Sequence, residues 1–158
     1  MPIIIEGPDG AGKSTLAKAL ADKLDMNVLK MTCNGGQSAT EYMQKLACDG
    51  VVIDRCWISE QVYADIFGRT QRIDNDACEK LTYMCSVLGI PIVIVLPPLA
   101  EVVRRLTLRG DEFGDVITDN IGLIYRRYEE FAAANNSVIT LDDNDVDWCI
   151  KEVLKCML

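Results

Sequence analysis

Lys13, Ser14, Asp54 and Arg55 are residue types that can work together on phosphate. An ammonium neutralises the β- and γ-phosphates of a nucleoside triphosphate, and a neighbouring hydroxyl ligates Mg²⁺. A carboxylate ending an apolar strand holds that cation through water, and a guanidinium fork captures a further phosphate in a bidentate pair. Lys13 and Ser14 close the run Gly7-Pro8-Asp9-Gly10-Ala11-Gly12-Lys13-Ser14, which fits G-x-x-x-x-G-K-S/T. Its glycines let the backbone curl so that N–H groups point inward at an anion, and the helix that follows adds its positive end. Gly7, Asp9, Gly10, Ala11, Gly12, Lys13, Ser14 and Thr15 are therefore expected to bind the triphosphate, with Ser14 and Asp54 as the magnesium residues. Two blander roles compete: Asp54 as a helix cap for the segment starting near Trp57, and Arg55 as a surface arginine paired with Glu60 or Asp9.

These side chains need a scaffold, and the rest of the chain reads as one. Ile3–Ile5 is a β-branched run suited to a strand buried on both faces, and Leu16, Ala17, Leu20 and Leu24 recur at helical spacing after the glycine loop. Further strands are expected at 27–31, 51–55, 90–96 and 137–141, with a glycine-rich loop at 32–38. Helices are expected at 40–48, 57–67, 74–88, 99–108, 118–134 and 146–156, with a charged loop at 109–115. Alternating strands and helices predict a five-stranded parallel sheet covered on both faces, with ligands gathered at the carboxyl ends of the strands.

The chain has 158 residues, and a net charge of 16 − 24 = −8 argues against a nucleic-acid polymer or an anionic membrane as partner. Anionic substrates must then be drawn in by local arginines. Seven cysteines without a C-x-x-C pair, and no apolar run of spanning length, read as reduced thiols of a cytoplasmic protein. With no histidine in the chain, histidine base or metal chemistry is excluded.

The blocks IEGPDGAGKST and DRCWISEQVY resemble the thymidylate kinases, a branch of the phosphate-loop nucleoside monophosphate kinases. Asp9 matches an acidic residue before Gly-Ala-Gly-Lys. Asp54, Arg55 and Ser59 match a family Asp-Arg…Ser pattern, and Gln61 and Tyr63 match positions beyond that serine. Arg105, Arg109, Gly110 and Tyr128 look like the family's lid and the tyrosine-bearing helix after it. Cys56 stands where the family has an aromatic residue, and 34–50 lacks a clear counterpart of the family's base-reading aromatic and arginine. The chain is nearer in size to compact, virus-type versions.

The resemblance implies a three-layer α/β/α P-loop NTPase fold, in one kinase domain over 1–158 with a short arginine-bearing lid at about 104–117. It implies transfer of the ATP γ-phosphoryl group, with Mg²⁺, to the 5′-phosphate of a deoxynucleoside monophosphate, dTMP foremost. Lys13, Arg55, Arg105 and Arg109 would be catalytic, and Asp9, Arg55, Ser59, Gln61, Tyr63 and Arg69 would bind the acceptor. Asp9 would lie near the 3′-hydroxyl, and the Tyr63 ring would fill the space of a 2′-hydroxyl. A homodimer through helices beside the sheet is a further expectation of resemblance. For Tyr63 the alternative is helix packing; for Arg69, Arg72, Arg105 and Arg109 it is a solvated face.

Two other functions fit the same motifs. A deoxynucleoside kinase would accept a sugar hydroxyl and need a carboxylate base, for which Glu6 and Asp54 are the candidates. A non-catalytic nucleotide-binding module would leave the arginines unexplained. A GTPase would need Asn-Lys-x-Asp, and no such tetrapeptide occurs.

Overall fold

The computed structural model describes residues 1–31, 38–109 and 116–157. Most of the expected loop at 32–38, with Cys33, and positions 110–115 of the expected lid, with Gly110, lie outside the described residues. In chain order the elements are β1 (Ile3–Glu6), α1 (Lys13–Leu24), β2 (Asn27–Lys30), α2 (Ala39–Leu46), β3 (Val51–Asp54) and α3 (Trp57–Phe67). There follow α4 (Asn75–Leu88), β4 (Ile92–Val95), α5 (Leu99–Arg109), α6 (Val116–Ala134), β5 (Val138–Leu141) and α7 (Val146–Cys156).

All strand pairs are parallel, in the order β2-β3-β1-β4-β5. Alternation along the strands divides the core in two. Ile3, Ile5, Val52, Val93 and Val95 face α1 and α7, whereas Ile4, Ile53, Ile92 and Ile94 face the helices α2 to α6. Each fully buried isoleucine contributes on the order of 1.5–3 kcal/mol. Both faces of the central strands are covered, which is why they read as unbroken apolar runs rather than alternating ones.

Local chemistry sets the helix ends. Asp74 accepts from Ala77 N at 2.8 Å and Asp145 from Trp148 N at 3.0 Å, so each caps the helix after it. Gly89, in the left-handed region, closes α4. The order places the carboxyl ends of β1 and β3 side by side, so Glu6, the glycine loop, Asp54 and Arg55 meet at one mouth. No described helix is long and apolar enough to cross a membrane.

Candidate active site

A cavity of about 860 Å³ opens at this mouth, lined by the glycine loop, the start of α1, one face of α3 and the inner side of α5. Gly10, Ala11, Gly12, Lys13, Ser14 and Thr15 all line it. Gly7 does not, although the motif placed it among the phosphate residues. Its φ is +140°, and a Cβ there would lie 2.4 Å from the Val95 carbonyl oxygen. Gly7 therefore lets the loop leave β1 hard against β4.

Lys13 is buried, and its Nζ donates to the Pro8 carbonyl at 2.7 Å. Burial, then the nearby Arg55 charge, pulls its ammonium down to about 7, against the opposing influence of Asp9, Glu6 and Asp54. Ser14 Oγ donates to Asp54 Oδ2 at 2.6 Å. The other oxygen, Asp54 Oδ1, is buried with no hydrogen-bond partner among the described residues. An orphaned carboxylate oxygen beside a loop serine fits a magnesium site, where the nucleotide and water supply the remaining ligands. Asp54 is not the cap of α3.

That cap is Glu6, a residue the sequence offered only as a base. Fully buried at the end of β1, Glu6 accepts through Oε1 from Cys56 N at 2.6 Å and Ser59 N at 3.1 Å, both at the N-terminus of α3. Its Oε2 accepts from Ser59 Oγ at 2.8 Å, Tyr128 OH at 2.9 Å and Gly7 N at 3.2 Å. One carboxylate thus ties β1, the glycine loop, α3 and α6 together. The sequence carried a signal for it: an acid ending a wholly buried isoleucine run must have donors waiting. Tyr128, expected on the helix after the lid, serves here as a fully buried donor to Glu6, and burial with the Glu6 charge raises its hydroxyl well above the usual range.

Arg55 follows β3 with φ +77°, a left-handed conformation costing a non-glycine residue about 1–2 kcal/mol. The strain is held because Arg55 N continues the sheet by donating to Ile5 O at 2.9 Å. Its guanidinium donates Nη1 to Ser59 Oγ at 3.1 Å and Nη2 to Asp9, and lies over the Tyr63 ring, 5.4 Å from its centroid. Tyr63 donates its hydroxyl to the other Asp9 oxygen. Burial alone would push the Asp9 carboxyl up, but Arg55, Lys13 and the Tyr63 hydrogen bond together hold it below the ordinary range. Arg55 does pair with Asp9, and it does so inside the cavity. Its five N–H donors outnumber these protein partners.

Arg69, Arg72 and Arg109 line the cavity. Arg105 also reaches it, but its fork is engaged: Nη1 donates to the Gly10 and Ala11 carbonyls at 3.4 and 3.2 Å, Nη2 to Asn144 Oδ1 at 2.8 Å, and Nε to Glu101 at 2.8 Å. Glu101, one helical turn earlier, turns the guanidinium back onto the loop, so Arg105 braces the phosphate loop in this structure. Gln61 is not brought to the cavity; it donates to Asn75 Oδ1 at 3.1 Å across the start of α4. Two residues past Ser59 is about halfway round a helix, on the opposite side, whereas Ser59 and Tyr63, one turn apart, share the cavity face. Sequence reasoning did not single out Lys30, Met31, Tyr42 or Phe67 and named Glu60 only as a possible partner of Arg55; these five complete the wall on the α2–α3 side. Tyr42 was hidden by its poor motif context, although Ser38 and Glu41 mark its helix with a capping box.

A model of the AAA domain family matches residues 1–49. No curated protein matches the chain by sequence. Among solved structures, the YorR protein from Bacillus subtilis in complex with phosphorylated GDP superposes with a TM-score of 0.82 at 22% identity, covering 98% of this chain and 94% of that one. Deoxyadenosine kinase from M. mycoides, with the products dCMP and a flexible dCDP, gives 0.61 at 18% identity, covering 98% of this chain and 97% of its own. The same kinase with dATP gives 0.62 at 19%, covering 98% of each chain. At these identities the likeness is one of architecture: the chain has the α/β phosphate-loop fold of the nucleoside and nucleotide kinases.

Proposed function

We propose that the protein is a deoxynucleoside monophosphate kinase, moving the γ-phosphoryl group of ATP to the 5′-phosphate of a deoxynucleotide. One observation carries this choice over a nucleoside kinase. The carboxylates acting most strongly on Lys13 are Asp9, Glu6 and Asp54, and each has a partner in the protein. Glu6 is saturated with donors, Asp9 is shared by Arg55 and Tyr63, and Asp54 holds Ser14. Of their oxygens only Asp54 Oδ1 lacks a partner among the described residues, and beside Ser14 it suits the magnesium ion rather than the proton of a sugar hydroxyl. A monophosphate acceptor, mostly ionised at neutral pH, needs no such base.

The chain's own work is then positioning and charge neutralisation along an in-line path. Lys13 and the loop N–H groups hold the donor phosphates, and Arg55 anchors the acceptor phosphate beside them. Ser14 and Asp54 would hold Mg²⁺, which supplies charge neutralisation at the β- and γ-phosphates when bound. Arg109, at the end of α5, lines the cavity, and its charge is felt at the Asp9 carboxyl. Tyr63 packs against the sugar, leaving a 2′-hydroxyl neither room nor partner. The thymidylate-kinase resemblance supports this reading; the structural neighbours, with bound nucleotides and deoxynucleotides, support a nucleoside or nucleotide kinase more broadly, the deoxyadenosine kinase among them fitting a nucleoside acceptor as well.

Incubation with γ-labelled ATP, Mg²⁺ and matched panels of deoxynucleosides and their monophosphates tests it. Label should appear in deoxynucleoside diphosphates. Label in monophosphates made from nucleosides would assign the nucleoside kinase instead, and tight ATP binding without transfer would assign a binding module.

A further inference from the structure

We infer that Glu60 reads the base of the acceptor nucleotide, and that this base carries an exocyclic amino group on its pairing edge, so that thymine is disfavoured. The inference rests on the acceptor reading given above and departs from the dTMP preference that the thymidylate-kinase resemblance implied.

Glu60 is 9% exposed, and it lines the cavity. One of its oxygens, Oε1, accepts from the Arg72 backbone N–H at 3.3 Å; the other accepts nothing among the described residues. A carboxylate so far removed from water is costly unless donors meet it. Elsewhere at this mouth the cost is met by protein groups, as at Glu6, or has a clear outside partner, as at Asp54 beside Ser14. Unlike Asp54 Oδ1, the second oxygen of Glu60 is not sealed off, and on the wall of the cavity it is open to a ligand that brings hydrogen-bond donors.

Position decides which part of the ligand that is. The charges acting most strongly on Lys13 are Arg55, Asp9, Glu6 and Asp54. Glu60 acts instead on Tyr42 and Cys78, across the α2–α4 side. A phosphate would be repelled there, whereas a flat ring would be welcome. Tyr63 and Phe67 are tilted neighbours with ring centroids 6.1 Å apart, and Tyr42 stands edge-on to Trp57 at 5.5 Å. Along α3, Cys56, Glu60, Tyr63 and Phe67 recur at helical spacing and all line the cavity, so the carboxylate lies within an aromatic and apolar stripe.

The edges of the bases then discriminate. Adenine offers its N6 amino group, cytosine its N4 amino group, and guanine its N2 amino group beside N1–H; each can donate to a carboxylate. Arg69 or Arg72, on the same wall, can donate to the adjacent ring nitrogen or carbonyl. Thymine presents carbonyl, N–H, carbonyl. Its one N–H is flanked on both sides by carbonyls, so any approach to the carboxylate sets lone pairs against that charge.

Calorimetric binding of dAMP, dCMP, dGMP and dTMP to the full chain, wild type and Glu60→Gln, tests this. At least one amino-bearing monophosphate should bind roughly tenfold or more tighter than dTMP. Glu60→Gln should shrink that ratio by about tenfold, because its amide can donate to a thymine carbonyl. The inference falls if wild type binds dTMP as tightly as its best amino-bearing rival. It also falls if the folded variant keeps the ratio, or if no monophosphate binds. The wild-type ratio needs no variant and so decides even if Glu60→Gln fails to fold. Turnover is read separately. A base preference without transfer overturns the kinase reading and leaves Glu60 in place; transfer with dTMP preferred does the reverse.

Discussion

The two ends of the cavity are built differently. At the phosphate end nearly every buried polar atom is bonded to the protein: five donors converge on Glu6, Asp9 is held from both sides, and Ser14 is pinned to Asp54. At the α2–α4 end a buried carboxylate has one backbone partner, and its neighbours are rings, an apolar wall and two arginines. A saturated network fixes atoms to tenths of an ångström, which in-line transfer requires. A site with a bond left to make gains its discrimination from the ligand that completes it. Chemistry is preorganised at one end, and selectivity is left to be satisfied at the other.

Breaking the phosphate end should cost most. Lys13→Ala should lower kcat by at least about a hundredfold, since Lys13 is the cation this reading assigns to the β- and γ-phosphates. Steady-state kinetics with saturating ATP check this; an active variant would remove the phosphate-loop assignment. Glu6→Gln should cost about 3 kcal/mol in denaturant unfolding, because an amide turns its own donor toward N–H and O–H groups that need an acceptor. A loss of activity at unchanged stability would instead make Glu6 a chemical participant.

Tyr63 sits where the two ends join, and its substitutions sharpen the contrast. Wild type should favour deoxyribonucleotides over ribonucleotides by roughly tenfold to a hundredfold in kcat/KM. Tyr63→Phe should keep most of that preference while costing about 1 kcal/mol through the lost hydrogen bond to Asp9. Tyr63→Ala should lose the preference. Equal use of ribo- and deoxyribonucleotides by wild type would make Tyr63 a packing residue.

The smallest expected effect is a proton. Lys13 without nucleotide titrates near 7, against 10.5 for a free lysine, and bound phosphates restore its charge. Nucleotide binding at pH above about 7 should therefore take up as much as roughly one proton, and affinity should fall as pH rises through that range. Calorimetry in buffers of different ionisation enthalpy measures the uptake. In the unliganded chain the sign is opposite: the unfolded state binds the extra proton between about 7 and 10.5, so Lys13 favours stability as pH rises there.

Much of this architecture was legible because it is written locally. Isoleucine runs, the Asp74 cap and the Gly89 stop mark elements within a few residues of themselves, and the glycine loop is defined by its own backbone needs. What was not legible depends on long-range encounters. Glu6 meets partners 50, 53 and 122 residues away, so the sequence offered a buried acid without its donors. The strand order that sets β3 and β4 on either side of β1 has no local signature either. Gln61 and Arg105 carry a different lesson. A family pattern assigns roles by position along the chain, but helix rotation turns Gln61 onto α4, and Glu101 turns Arg105 onto the loop.

The most direct test of a two-ended cavity is Arg55→Gly, which removes the acceptor-side guanidinium while suiting the backbone at φ +77°. ATP affinity, measured by equilibrium binding, should stay within about threefold of wild type, while kcat/KM for the monophosphate acceptor falls at least about a hundredfold. Weakened ATP binding with intact acceptor kinetics would place Arg55 on the donor and contradict the account.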